Sequence, residues 1–335
     1  MAKHNRFPGQ YCFIDDSGKV EIPGRFVFTE GLAAVLDENN DKWGFIDETG
    51  KVVIPCLWEF VGYFSEGLAA VADEHDKWGF IDKTGNVVIP CQWRWAVWFI
   101  NGMAFVKNEQ DKFGFIDKTG KVVIPCQWKW VDSFSEGLAP VQDENDKWGY
   151  IDTTGKLVIS CQWKDAAIFS DGLAAVRNEQ NKYGFINKKG ELVIPFQWKE
   201  INNYFSEGLV CVLDEQFKWG YIDTTGKLVI PCQWKAVSPF REGRAFVINE
   251  RDRYGFIDKT GKVVIPFKWK KVNLFSEGLA PVQNEYNKWG YIDTTGKLVI
   301  SCQWKDASDF RNGIASVWKR GKCFHIDKTG KIVSM

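Results

Sequence analysis

The chain has no excess of charge of either sign. Its 335 residues carry 43 Lys and Arg against 43 Asp and Glu, a formal net charge of zero. Nucleic-acid binders displace counterions with a basic excess, so DNA or RNA is not the expected partner. No segment approaches the roughly 20 consecutive apolar residues of a membrane helix. The opening stretch, MAKHNRFPGQYC, lacks an apolar run of signal-peptide length. The expectation is a soluble, cytoplasmic protein with no membrane partner. Histidine is scarce, and His4, His75 and His325 share no common sequence context. There is no C-x-x-C pair, nucleophile elbow, phosphate loop or metal-ligand spacing. These absences speak against an enzyme, a cofactor and a metal centre.

What is present is a repeat. The stretch Asp76–Ile89, DKWGFIDKTGNVVI, returns at Asp41–Ile54, Asp111–Ile124, Asp146–Ile159, Asn181–Ile194, Phe217–Ile230, Asp252–Ile265 and Asn287–Ile300. The spacing is 35 residues, with one extra residue near Asn202-Asn203-Tyr204. A fixed period of this size signals a solenoid, propeller or other array. Length alone suggests two domains; the repeats point instead to one array over 1–335. Within it, 1–40 reads as a degenerate N-terminal cap unit, 41–320 as eight full repeats and 321–335 as a degenerate C-terminal cap.

One unit reads as three strands. Leu68–Val71 is strand a and Trp78–Ile81 is strand b. Asp82-Lys83-Thr84-Gly85 is a turn, with Asp at its start and Gly at its end. Asn86–Ile89 is strand c, stopped by Pro90. Cys91–Gly102 reads as an irregular connector. Both faces of strands b and c are largely apolar, so stacked neighbours should cover both. Gly79 should let a large neighbouring group approach, a tryptophan by preference. Burying one Trp removes ~150–250 Å² from water, about 4–6 kcal/mol as an upper bound. Tryptophans should therefore dominate the energy between units. The fold expected is all-β: tandem three-stranded antiparallel meanders forming an open β superhelix, with a β-propeller as the alternative. The degenerate end copies suit the caps of an open array.

The pattern Trp-Gly-Tyr-Ile-Asp-x-x-Gly-Lys-x-Val-Ile-Pro, followed by an aromatic and Phe-Ser-Glu-Gly-Leu-Ala, resembles the bacterial WG-repeat (KWG-repeat) proteins from about Tyr11 to Val333. The resemblance implies an all-β repeat array and assigns no activity. One departure is a tryptophan where that pattern expects tyrosine after the proline: Trp58, Trp93, Trp128, Trp163, Trp198, Trp234, Trp269 and Trp304.

Cys56, Cys91, Cys126, Cys161, Cys232 and Cys302 share one repeat position, filled by Phe196 and Phe267 in the other two copies. A disulfide or metal site does not accept Phe. These thiols are expected to be reduced, buried small hydrophobes. The turn aspartates Asp47, Asp82, Asp117, Asp152, Asp223, Asp258 and Asp293 have two readings: calcium ligands, or caps of their own turns. Asn187 at the same position suits the second.

The most informative positions vary between otherwise matching units. Two residues after the framework tryptophan stand Phe60, Trp95 and Trp130, then Asp165, Glu200, Ala236, Lys271 and Asp306. Five residues after it stand Tyr63 and Trp98, where most units carry small or polar groups. Phe60, Tyr63, Trp95, Trp98 and Trp130 are therefore the candidate site, an aromatic stripe across consecutive units. It reads as a partner surface or as a locally thicker core between units. The expected function is a non-catalytic scaffold for protein–protein interaction; the alternative is a glycan-binding module that stacks these rings on sugar faces.

Overall fold

The computed structural model describes residues 12–14, 20–21, 28–202, 204–320 and 322–333. His4, the Ser17-Gly18 turn and the inserted Asn203 lie outside the described residues. The chain divides into two compact units, Met1–Gln162 and Trp163–Met335. Both are built of β-sheets. The described residues form nine sheets, each assembled from consecutive strands.

The repeat carries four strands rather than three. In one sheet these are an edge strand, Phe60–Ser65, then strand a, Leu68–Ala72, strand b, Trp78–Asp82, and strand c, Val87–Trp93. They lie side by side in that order, every pair antiparallel. In most sheets the edge strand is two residues long, as at Trp95–Ala96 and Trp130–Val131. The connector is thus not irregular throughout: it supplies a strand. Four-stranded sheets following one another along the chain are the blades of the β-propeller class, the alternative given above. The open superhelix of three-stranded meanders loses its premise.

The ends of the sheet explain themselves locally. Asp82 Oδ1 accepts from the Thr84 and Asn86 backbone N–H groups at 2.9 and 3.0 Å, closing the b–c turn. Before strand a, Glu66 and Gly67 take φ of 54° and 87°. Two successive positive φ values make the tight hairpin turn whose twist matches the strands it joins. The first described strand, Cys12–Ile14, runs parallel to Leu32–Asp37 with Val20–Glu21 outside it. The N-terminal copy therefore joins the first sheet rather than forming one of its own.

Strand c does not stop at its proline. It is the outermost strand, where a missing N–H breaks no ladder. Between Trp78↔Trp93 and Phe80↔Ile89 it bulges, placing Pro90, Cys91 and Gln92 opposite Gly79 alone. A Cβ on Gly79 would lie 2.4 Å from the Ile89 carbonyl oxygen and 2.7 Å from the Cys91 nitrogen. The glycine makes room for the backbone of its own sheet, not for a neighbour's tryptophan. Cys91 Sγ then crosses it to within 3.9 Å of the Val71 carbonyl. Where phenylalanine replaces cysteine, the Phe196 ring comes within 3.0 Å of a Cβ built on Gly184.

The repeat cysteines are free, as expected, but half-buried rather than buried. Desolvation, with the Asp73 charge adding to it, raises the Cys91 thiol to about 11. The expectation that both faces are covered also fails at the start of strand c, where Val87 and Val88 are exposed.

Consecutive sheets within each compact unit are joined mainly by phenylalanine and tyrosine. Phe80 meets Phe99 at 4.8 Å and Phe115 meets Phe134 at 4.9 Å; in the second unit Tyr221 meets Phe240 at 5.0 Å. Phe80, Phe99, Tyr221 and Phe240 are wholly buried, whereas Trp93 and Trp128 are half-buried. Trp198, Trp269 and Trp304 are buried too, and Trp163 meets Phe196 and Trp234 meets Phe267 across consecutive sheets at 5.5 and 5.6 Å, so the tryptophans share these joints with the smaller rings. Polar clamps flank them. Glu66 accepts from the Gly102 N–H at 3.0 Å and pairs with Lys118 at 2.9 Å. Ser65 Oγ donates to the Phe99 carbonyl at 2.7 Å.

Candidate functional site

The five candidate aromatics are placed by the edge strand. After the framework tryptophan the chain turns back on strand a: the Arg94 N–H donates to the Lys107 carbonyl at 2.9 Å, and Trp95 then pairs with Lys107. Lys107 in turn pairs with Phe113 on strand b. Trp95, Lys107 and Phe113 thus form one row across the sheet. Phe60, Trp95 and Trp130 all open edge strands, as do Asp165, Glu200, Ala236, Lys271 and Asp306. The variable position is the first residue of a sheet edge.

The structure gathers Trp95, Trp98 and Trp130. Trp95 is half-buried, its ring 5.7 Å from Phe105 and 6.0 Å from Phe113. Trp130, from the next sheet, lies over the other side of that cluster, 4.9 Å from Phe113. Trp98 borders an apolar hollow with Ile100, Met103, Phe105, Phe115, Ser133 and Phe134. Trp98 and Trp130 are each 47% exposed. Phe60 and Tyr63 stand on the preceding sheet. Phe60 stacks on Trp78 at 6.4 Å and is half-buried, while Tyr63 is exposed.

Phe105 and Phe113 were not among the sequence candidates, yet they hold the cluster together. Both signals were in the sequence. Phe113 replaces the tryptophan of the Trp-Gly pair, and Phe105 stands where other strands a carry Ala70, Pro140 or Ala175.

Charges ring this surface and are neutralised. Lys107 lies 5.3 Å from the Phe113 ring centre and pairs with Asp111 at 2.7 Å, and Arg94 reaches the same carboxylate. The Lys107 hydrogen bond, with the nearby Arg94 charge, holds Asp111 below its ordinary carboxylate range.

The turn aspartates cap their own turns. Asp117 Oδ1 accepts from the Thr119 hydroxyl at 2.6 Å and from the Thr119 and Lys121 backbone N–H groups. Asn187 accepts the corresponding backbone bonds. The Thr119 hydroxyl and these N–H groups lower the Asp117 pKa. Among the described residues no group of three His, Cys, Asp or Glu side chains could hold a metal ion. His75 is exposed in a turn, and His325 Nδ1 lies 3.3 Å from Ser316 Oγ, half-buried, which lowers its pKa. Among the described residues no helix is long and apolar enough to cross a membrane.

The family model of the WG containing repeat matches the chain eight times, at residues 43–74, 78–110, 113–148, 148–182, 183–215, 219–250, 254–288 and 289–323. No curated protein matches it. Among solved structures, the chain is similar to the computationally designed Ika8 protein, at 11% identity and a TM-score of 0.41 over 81% of this chain and 93% of that one. It is also similar to BamB from Moraxella catarrhalis, at 9% identity and a TM-score of 0.41 over 77% of this chain and 92% of that one.

Proposed function

The chain belongs to the WG-repeat family, and from that premise we propose that it is a non-catalytic scaffold that holds a protein partner on the Trp95–Trp98–Trp130 surface. The sheets serve as the blades of a β-propeller, and their edge strands are the variable part that selects the partner. The observation that carries this proposal is the exposure of Trp98 and Trp130 beside this hollow, with Trp130 standing where other sheets place Asp165, Glu200, Ala236 or Lys271. Large exposed rings clustered around a recess are the usual anchors of protein interfaces. Phe60 and Tyr63 extend the same surface onto the preceding sheet. Free thiols throughout suit a reducing compartment such as the cytoplasm.

The test is capture from cell extract by the full chain, beside the double variant Trp98→Ala, Trp130→Lys. The expected outcome is a specific protein retained by the first and lost by the second. Retention by both overturns the surface. Binding to immobilised glycans that the double variant abolishes would transfer the assignment to a glycan-binding module.

A further inference from the structure

A second surface lies in the last two sheets, far along the sequence from the aromatic cluster. Through the second compact unit, the cation preceding the Trp-Gly or Tyr-Gly pair reaches the turn between strands a and b of the next sheet. Lys182 meets Glu215, Lys218 meets Glu250 and Arg253 meets Glu285. The cation after the framework tryptophan reaches the end of its own sheet's a–b turn: Lys164 meets Asn181, Lys235 meets Asp252 and Lys270 meets Asn287. Each of these positive charges faces a side-chain oxygen of a turn; the exception is Lys199, which lies over the Phe217 ring.

The last sheet breaks both rules. Its strands a and b are Ile314–Lys319 and Lys322–Asp327. The a–b turn here is shorter than the one before it, and Arg320, at φ 52°, takes the positive-φ place that Asn287, at 57°, holds one sheet earlier. The geometry that joins Lys270 to Asn287 therefore turns Lys305 toward a cation, and Lys288 finds no glutamate in the next turn. Lys319, Arg320 and Lys322 bring neither aspartate nor asparagine to Lys305, the cation after the last framework tryptophan. Lys319 and Lys322 stand directly opposite each other across the hairpin, a like-charge arrangement that destabilises a sheet. Lys319 donates to Gln303 Oε1 at 3.1 Å and lies over the Trp304 ring, neither of which neutralises it. Asp306, beside Lys305, accepts from the Ala307 N–H at 2.9 Å. Lys288, Lys305, Lys319, Arg320 and Lys322 are all exposed, whereas Lys182, Lys218 and Arg253 are half-buried by their pairing.

We propose that this cationic end of the last sheets docks an acidic polypeptide segment of a partner protein, whose carboxylates take the places that Glu285, Asp252 and their equivalents take in the other sheets. Carboxylate is the anion this framework already uses for these cations. The charges are spread over the turns of two neighbouring sheets, which suits a run of acidic side chains better than one phosphate. The zero net charge of the whole chain gives none of the broad positive field by which nucleic-acid binders gather a polyanion.

The test follows the fluorescence anisotropy of a labelled oligo-glutamate peptide titrated with the full chain. Saturable binding that fades as salt rises is expected. The variant Arg320→Glu should weaken it about tenfold or more, and Lys319→Gln with Lys322→Gln should weaken it in the same direction. Lys121→Glu, exposed just before a strand c of the first compact unit, should leave it unchanged. Arg320→Glu should also raise the melting temperature, since it gives Lys305 a carboxylate; that readout shows that the variant is folded. The proposal is overturned if the peptide does not bind, if binding ignores Arg320→Glu, or if duplex DNA or tripolyphosphate displaces the peptide at lower charge concentration.

Discussion

The row Trp95–Lys107–Phe113 and the row Asp165–Arg177–Tyr183 occupy the same place in two sheets, one in each compact unit. In the first, a tryptophan packs against phenylalanines and the lysine lies over a ring. In the second, Tyr183 donates its hydroxyl to Asp165 Oδ2 at 3.1 Å, and Arg177 lies over the tyrosine ring beside the same carboxylate. The backbone pairing is unchanged. What differs is whether the edge residue supplies apolar surface or an ion. The sheet edge is therefore a site of free choice, and beneath it the glycine, the bulge and the Phe–Phe or Tyr–Phe joints stay fixed.

If that division is right, the largest effects fall on the shared parts. Gly114→Ala sets a Cβ 2.5 Å from the Ile124 carbonyl oxygen and 2.7 Å from the Cys126 nitrogen, both backbone. It should cost about 4 kcal/mol or more in urea unfolding. Gly184→Ala, where the nearest backbone contact is 2.7 Å, should cost somewhat less. Equal and small effects would refute the close-approach account of the glycine.

Next come the rows themselves. Trp95→Asp removes a half-buried ring held between Phe105 and Phe113 and should cost about 2–3 kcal/mol. Trp130→Lys, at an exposed position where another sheet already carries Lys271, should stay within about 1 kcal/mol. Chemical denaturation of both variants separates packing from surface within one cluster. Tyr183→Phe tests the polar row: it deletes one hydrogen bond to Asp165 and should cost about 1 kcal/mol.

The smallest effect is expected at the clamp. The Lys118 hydrogen bond, then the Gly102 and Asn101 N–H groups, hold Glu66 below its ordinary 4.5. A lowered folded pKa stabilises above the unfolded value, and that stability is lost as pH falls through the folded one. Glu66→Gln should therefore cost about 0.2–1 kcal/mol at neutral pH, and the difference from wild type should close in acid. Urea midpoints measured across pH 7 to 3 check it; a gap that widens in acid would contradict the pairing.

The period, strands a to c and the Asp-capped turn were legible in the sequence because each rests on a residue type the geometry demands. The edge strand was not. Trp95–Ala96, Lys271–Val272 and Asp306–Ala307 share no residue type at their first position and only a small apolar residue at their second, a pattern too short to read as a strand. The Glu-Gly hairpin turn was hidden for a related reason. Glutamate is a poor occupant of positive φ, so Phe-Ser-Glu-Gly read as a connector. The part of the site that varies between copies was visible as variation. Phe105 and Phe113 left the same trace, as departures from Ala70 and Trp78, but a change inside strands a and b reads as a framework substitution rather than as part of a surface.

The Glu66 clamp has a consequence for how such a chain can lengthen. Its carboxylate bonds the following sheet, and Gly102 and Lys118 receive it there; Glu207 does the same toward Gly243 and Lys259. A repeat with this glutamate thus carries the giving half of a joint at one side and the accepting half at the other. A stretch copied in phase arrives with both halves matched, wherever the cut falls. The identical runs Lys147–Ala166 and Lys288–Ala307, the edge strands Asp165–Ala166 and Asp306–Ala307 included, are what such copying leaves behind.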